Sequence, residues 1–133
     1  TSWRAHLSPS AFCTFVGNGF EVCSFVKRPV ETGERSLPVP FDHINIDRDE
    51  VIFYSRGMFF SKSDSGEGTW TFHSRGFSHG PHPSALKRES ERREREGAFM
   101  FDGYFLLIET TDPLYATDHA NRIEDSSYLN SWL

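Results

Sequence analysis

Two histidines and one glutamate are the residues of this sequence best suited to chemistry. His43 and Glu50 lie in FDHINIDRDEVIFYSRG, which reads H-x-N-x4-E-x6-G, and His79 ends the G-x7-G-x2-H string inside GEGTWTFHSRGFSHGPHP. Two imidazoles and one carboxylate typically hold an open, catalytic divalent metal, most often non-haem Fe(II), on one face of an octahedron. The open positions admit a bidentate substrate together with O2. Each ligand histidine also needs an acceptor that orients its second nitrogen, and Asp47 and Asp49 are the nearby candidates.

Strand periodicity constrains how these side chains meet. His43 and Asn45 share one face of a predicted strand, whereas an unbroken strand would direct Glu50 to the opposite face. A tight turn over residues 47–49 is therefore predicted to make a hairpin that returns Glu50 beside His43. The apolar residues Ile44, Ile46, Val51 and Phe53 fall on the face away from the proposed ligands. A second sheet, a further domain or another subunit is expected to cover that face.

The rest of the chain reads as short strands separated by turns. Two β-rich runs flank Gly17-Asn18-Gly19, a sequence typical of a hairpin. The charged stretch SALKRESERREREG is the one helix-like segment. Glu89 and Arg93, and likewise Glu91 and Arg95, are spaced to pair across one turn, which predicts a solvated helix or a mobile loop, with a lid over a site as the alternative. The 133 residues, with 13 Phe, suffice for a single domain with a packed core.

Bulk composition excludes several classes of partner. The formal net charge of -5 disfavours nucleic acid or an anionic membrane surface. No apolar run is long enough to cross a bilayer, and the first residues lack the layout of a secretory signal. Cys13 and Cys23 lie in separate apolar runs and are expected to be buried and reduced, with a disulfide as the alternative. These features predict a cytoplasmic protein.

Two more histidines are candidates for the same site. His73 lies six residues before His79 and faces inward by alternation in TWTFHS. It could be an acid/base group beside the metal, a core histidine or a further ligand. His82, in HGPHP, could line the entrance to the site or lie on a surface loop.

Taken together, these strings resemble the cupin superfamily, whose two motifs are a His/His/Glu cluster and a later Gly-bounded histidine. Asn45 stands in place of the second histidine of the first motif, and Ser74 and Pro83 replace the usual Pro and Asn of the second. Within cupins, DHINIDRDEVIFYSRG, FHSRGFSHGPHP, AFMFD and YLNSW are most similar to the homogentisate 1,2-dioxygenase family. The match covers about residues 19–133 and corresponds to the C-terminal cupin of a longer family chain.

The resemblance implies an all-β cupin-type β-sandwich, or double-stranded β-helix (jelly-roll barrel), formed by residues 1–133 as one domain. It implies that His43, Glu50 and His79 bind Fe(II) and that His73 acts beside the substrate. Asn45, Phe59 and His82 would contact the substrate, with Phe59 standing where the family carries a tyrosine.

The function implied is ring cleavage of homogentisate or a related phenolic acid by O2, a reaction of aromatic catabolism and tyrosine degradation. A homo-oligomer, or an N-terminal half supplied elsewhere, is expected. One alternative is a catalytically incomplete metal-binding cupin module that serves ligand binding or assembly. Another is a different metal-cupin enzyme, such as a Mn-dependent decarboxylase or isomerase.

Overall fold

Short antiparallel strands dominate the computed structural model, which describes residues 12–30, 41–57 and 66–132. The predicted all-β, cupin-like class is confirmed. The strands are β1 (Phe12–Gly17), β2 (Phe20–Phe25), β3 (Arg28–Pro29), β4 (His43–Ile44), β5 (Asp49–Arg56), β6 (Trp70–His73), β7 (Ser78–His79), β8 (Met100–Phe101) and β9 (Tyr104–Thr110). The helices are α1 (Pro83–Glu96), α2 (Asp118–Ile123) and a 3-10 helix (Tyr128–Trp132).

The strands form three sheets. The largest has five strands in the order β1-β2-β9-β5-β6, and β3 pairs with β8 and β4 with β7 in two small sheets. All pairings are antiparallel. Across the described residues, the strands make these separate sheets and not one closed barrel.

The hairpin predicted at Gly17-Asn18-Gly19 is confirmed. β1 and β2 pair from Gly17↔Phe20 outward, and Gly19 adopts a φ of 79°. This positive φ is accessible to glycine at little cost, which explains why the turn ends on that residue.

The hairpin predicted at residues 47–49 is wrong. β4 pairs with β7, and β5 pairs with β6 and β9, so the chain leaves one sheet after β4 and enters another at Asp49. The chain bends at residues 46–47, and this bend connects two sheets. The strand that faces β4 comes from a segment more than thirty residues later in the sequence, which local turn signals do not reveal.

The inner face of the large sheet carries the core. Alternation along β5 buries Ile52 and Tyr54, and the Tyr54 ring meets that of Phe105 edge-on with centroids 5.3 Å apart. The Tyr54 hydroxyl also lies 3.1 Å from Thr71 Oγ1, so its polar atom is satisfied inside the core. The cluster of buried apolar residues comprises Val30, Ile52, Tyr54, Phe101 and Phe105.

The opposite face of the sheet is apolar and open in the described part of the chain. Trp70, which packs against Phe53 with ring centroids 4.5 Å apart, is 57% exposed. Ile44, in the separate β4–β7 sheet, and Ile46, which follows β4, are 53% and 81% exposed. Val51 is half-buried. A covering domain or subunit therefore stays a prediction.

The charged stretch forms a helix, as predicted. In α1, Arg93 Nε lies 3.4 Å from Glu89 Oε1, one of the two pairs that the spacing predicts. Of the other predicted pair, Arg95 contacts Glu96 and Glu91 contacts Lys87. Glu89 is buried together with Ala85, so one side of α1 rests on the body of the protein. Within the ranges described, no helix is long and apolar enough to span a membrane.

The two cysteines differ from the prediction in one respect. Both are free thiols, but Cys13 is exposed and Cys23 only partly buried. In the described ranges β1 lies at the edge of the large sheet, where a strand has a partner on one side only.

Candidate metal centre

Two cross-strand pairs bring the candidate residues together. His43 lies directly opposite His79 in the β4–β7 sheet, and Glu50 lies directly opposite His73 in the β5–β6 pairing. Residues that face each other across antiparallel strands point to the same side, so each pair presents its side chains jointly. The site forms where the two pairs meet.

A glycine turn sets the position of β7. Gly76 has a φ of 77° between β6 and β7, and its N–H donates to the Asn45 carbonyl across a distance of 2.7 Å. This hydrogen bond ties the turn to the residue that follows β4. The motif glycine is therefore needed for the backbone conformation that carries His79 to His43.

His43, Glu50 and His79 each offer one ligand atom, and these atoms lie within 4.8 Å of one another. Glu50 Oε1 is 3.4 Å from His79 Nε2, and Glu50 Oε2 is 3.9 Å from His43 Nε2. The rings of His43 and His79 meet edge-on with centroids 4.3 Å apart. Glu50 and His79 are buried, and His43 is partly exposed, so the cluster has one side nearer to solvent.

Backbone carbonyls fix the orientation of both imidazoles. His43 Nδ1 lies 2.9 Å from the Phe41 carbonyl oxygen, and His79 Nδ1 lies 3.0 Å from the Phe77 carbonyl oxygen. A carbonyl only accepts, so in each ring Nδ1 carries the proton. A neutral imidazole protonated on Nδ1 has its lone pair on Nε2, which here faces the cluster. This is the tautomer that a metal ligand needs.

This arrangement fits a cation on electrostatic grounds. Two Nε2 lone pairs and a carboxylate converge on one space, and such electron-pair donors repel each other unless a proton or a metal ion lies among them. Imidazole nitrogen and carboxylate oxygen are ligands shared by several divalent metals. Asp47 and Asp49 do not orient the imidazoles; that expectation was wrong, because the carbonyls two residues before each histidine are closer.

Glu50 is held as a carboxylate. Burial alone would raise its pKa, but the hydrogen bond from His73 and the close approach of His79 outweigh burial and lower the pKa to about 2. His73 Nδ1 lies 2.7 Å from Glu50 Oε1, and Asn45 Nδ2 lies 3.5 Å from Glu50 Oε2. The side chain is thus ionised and oriented before any ligand arrives.

His73 is buried beside the cluster. It is 4% exposed, and its ring stacks on that of His79 with centroids 4.3 Å apart and planes 19° apart. Its Nδ1 donates to Glu50, the contact expected of a residue that positions a ligand carboxylate.

Asp49 anchors the neighbouring turn, a role that the sequence did not reveal. Its Oδ1 accepts from the Arg75 backbone N–H at 2.8 Å and from Arg75 Nε at 3.2 Å, and its Oδ2 accepts from the Leu114 N–H at 2.7 Å. Burial opposes ionisation, but these donors lower the pKa of Asp49 below its usual 3.8. An aspartate directly before a candidate ligand is the only local signal that could have suggested this role.

A row of carboxylates extends from the centre across the inner face of the large sheet. Glu50 lies opposite Glu109, and Glu109 lies opposite Glu21. Arg48 Nη1 contacts both outer members, Glu21 and Glu109, and lies 3.1 Å from Glu109 Oε2. Burial, and then the neighbouring Glu21, raise the pKa of Glu109.

Of the three residues predicted to contact substrate, the structure describes two, Asn45 and His82. Asn45 lies beside Glu50, as described above. His82 is 8% exposed and precedes α1, where its carbonyl accepts from the Ala85 N–H, so the surface-loop interpretation is wrong. Phe59 lies outside the described residues.

Comparison with known proteins shows a similarity that covers nearly the whole chain. Over 129 residues, or 97% of its length, the chain is 36% identical to "Putative dioxygenase SSO1533" of Saccharolobus solfataricus. The matched region makes up 33% of that protein, so the chain spans about a third of the length of the curated relative it matches. No family model matches the chain.

Proposed function

We propose that His43, Glu50 and His79 bind one divalent metal ion, Fe(II). The observation that carries this proposal is the convergence of the three ligand atoms within 4.8 Å, with both imidazoles held by Nδ1 so that Nε2 faces the carboxylate. Three protein ligands leave coordination positions for other molecules. The half-exposed His43 marks the side from which those molecules enter.

We further propose that the centre serves a dioxygenase that opens the ring of homogentisate or a related phenolic acid. The support is the relative that bears the name of a dioxygenase, together with the motif resemblance to the homogentisate 1,2-dioxygenase family. A bound Fe(II) would hold the phenolic acid beside O2 and carry electrons from the ring to O2.

The protein residues prepare this chemistry. The buried carboxylate of Glu50 supplies the negative charge of the centre, and His73 holds that carboxylate through Nδ1. His73 is also the proposed proton-transfer group, because it lies beside the ligands and imidazole is the side chain used most often in general acid–base catalysis. Asn45, Phe59 and His82 are proposed to line the substrate position.

The unit that acts on substrate is proposed to be larger than this domain. The chain spans 33% of its relative, and the outer sheet face is open in the described residues. Residues 1–133 would then form one cupin domain that works with further sequence or with other copies.

The second candidate function is a metal-binding cupin module without turnover, which serves ligand binding or assembly. The same open face and partial coverage favour it. Both candidates share the metal site and differ in whether O2 is consumed.

The test has two stages. First, the purified chain is loaded anaerobically with Fe(II), and bound metal is measured by elemental analysis beside the His79→Ala variant. Equimolar iron in the wild type and its loss in the variant are expected, whereas equal iron in both would refute the ligand assignment. Second, O2 uptake with homogentisate is followed by electrode. Iron binding without O2 uptake would refute ring cleavage of homogentisate by this domain on its own and would favour the metal-binding module.

A further inference from the structure

The two cysteines of the chain lie directly opposite each other on neighbouring strands. Cys13 in β1 is the register partner of Cys23 in β2. Facing residues of an antiparallel pair point to the same side and have Cα atoms about 4.5–5.5 Å apart, depending on whether the pair is hydrogen-bonded. A disulfide requires a Cα separation of about 4.4–6.8 Å. The backbone therefore already satisfies the main geometric condition for a bond.

The surroundings of the two thiols differ. Cys13 is exposed, and its Sγ lies 3.8 Å from Glu21 Oε2. Burial, followed by the adjacent Cys13 thiol that hydrogen-bonds with it, raises the pKa of Cys23 to about 11. Glu21 and Glu109 act in the same direction. Cys13 is thus the thiol that an oxidant meets first.

Among the residues that the structure describes, the strand that carries Cys13 pairs with a neighbouring strand on one side only. β1 is the edge of the five-stranded sheet, and its ladder with β2 shifts register between Cys13 and Phe15. Such an irregularity lets the backbone adjust locally beside the cysteine. A covalent bond here would tie the edge strand to the body of the sheet.

We infer that Cys13 and Cys23 are a modification site that forms a reversible cross-strand disulfide. The oxidant is a small disulfide such as oxidised glutathione. The Cys13 thiolate attacks one sulfur of the oxidant and releases one reduced thiol, which leaves Cys13 in a mixed disulfide. Cys23 loses its proton and attacks the Cys13 sulfur, which releases the second reduced thiol. Two protein thiols are oxidised, and one disulfide is reduced to two thiols.

The experiment uses the reduced purified chain incubated with oxidised glutathione. Intact mass should fall by two hydrogen atoms, non-reducing electrophoresis should show a monomer, and alkylation of accessible thiols should drop from two to none. Dithiothreitol should restore both the original mass and the two reactive thiols.

Two matched variants test the assignment of each sulfur. Cys23→Ser should stop at a glutathione adduct on Cys13, because the second attack has no thiol. Cys13→Ser should react more slowly, because the remaining thiol is less accessible. A stable glutathione adduct on the wild type, a disulfide-linked dimer, or two thiols that still alkylate would each overturn the inference.

Amide hydrogen exchange gives a readout of the strand itself. Exchange in β1 should slow on oxidation in the wild type and stay unchanged in Cys23→Ser. Equal exchange in the oxidised and reduced wild type would overturn the proposed tying of the edge strand.

Discussion

Replacement of Asp49 by Asn is the sharpest test of how the centre is supported. The carboxylate of Asp49 is 3% exposed and accepts from two backbone N–H groups and from Arg75 Nε. Asn has the same shape but only one acceptor oxygen, so its NH2 group must face either the Arg75 or the Leu114 N–H. One buried donor then loses its partner.

The expected cost follows from that substitution. A hydrogen bond to a charged acceptor is worth about 1.5–3 kcal/mol, and a stranded buried donor costs about 1–3 kcal/mol. These contributions overlap, so Asp49→Asn should lower the free energy of unfolding by about 2–4 kcal/mol. For a domain of this size, about 4 °C of melting temperature corresponds to each kcal/mol, which predicts a loss of about 8–16 °C.

The assay is thermal and urea unfolding at neutral pH, with Asp47→Asn as the matched control. Asp47 lies two residues earlier and is exposed, so the same loss of charge there should change stability by less than about 0.5 kcal/mol. Equal melting temperatures for wild type and Asp49→Asn would refute the anchoring role of Asp49.

The pH dependence supplies a second check. Because the folded-state pKa of Asp49 lies below the usual 3.8, its contribution to stability is present above that pH and is lost as the pH falls through the lower folded value. The stability difference between wild type and Asp49→Asn should therefore shrink in acid. A difference that does not change with pH would contradict the assigned ionisation.

Three further predictions concern the site and its glycines. His79→Ala should lose its bound iron and keep the circular dichroism of a folded domain, and stoichiometric iron by elemental analysis would contradict its role as a ligand. His73→Ala should reduce turnover about 10²–10⁴-fold and weaken metal affinity about 10–100-fold. In His73→Asn the amide can replace the Nδ1 donor, so this variant should restore metal affinity without restoring turnover. Recovery of both would exclude proton transfer by His73. Gly57→Ala should destabilise more than Gly76→Ala in urea unfolding. Both glycines have positive φ, but an added Cβ at Gly57 would lie 2.4 Å from the Asp102 carbonyl oxygen, whereas at Gly76 no atom lies within 4 Å. Equal losses in the free energy of unfolding would show that the positive φ, and not the contact with Asp102, causes the destabilisation in both variants.

Local features of the fold follow directly from the sequence. The Gly17-Asn18-Gly19 hairpin and the charged helix α1 were predictable because a tight turn and i,i+4 ion pairs depend on residues close together in the chain. The ligand types were also evident, since imidazoles and a carboxylate at this spacing restrict the chemistry whatever the fold.

Only the tertiary structure decided which strands meet. β4 pairs with β7 and not with β5, so His43 faces His79 through a contact between distant segments. The orienting acceptors are the carbonyls of Phe41 and Phe77, and every residue has a carbonyl, so no side-chain pattern marks them. The exposure of Cys13 likewise follows from the edge position of β1. Sequence specifies the donors of the site, whereas long-range strand pairing determines which of them converge and which backbone groups hold them in place.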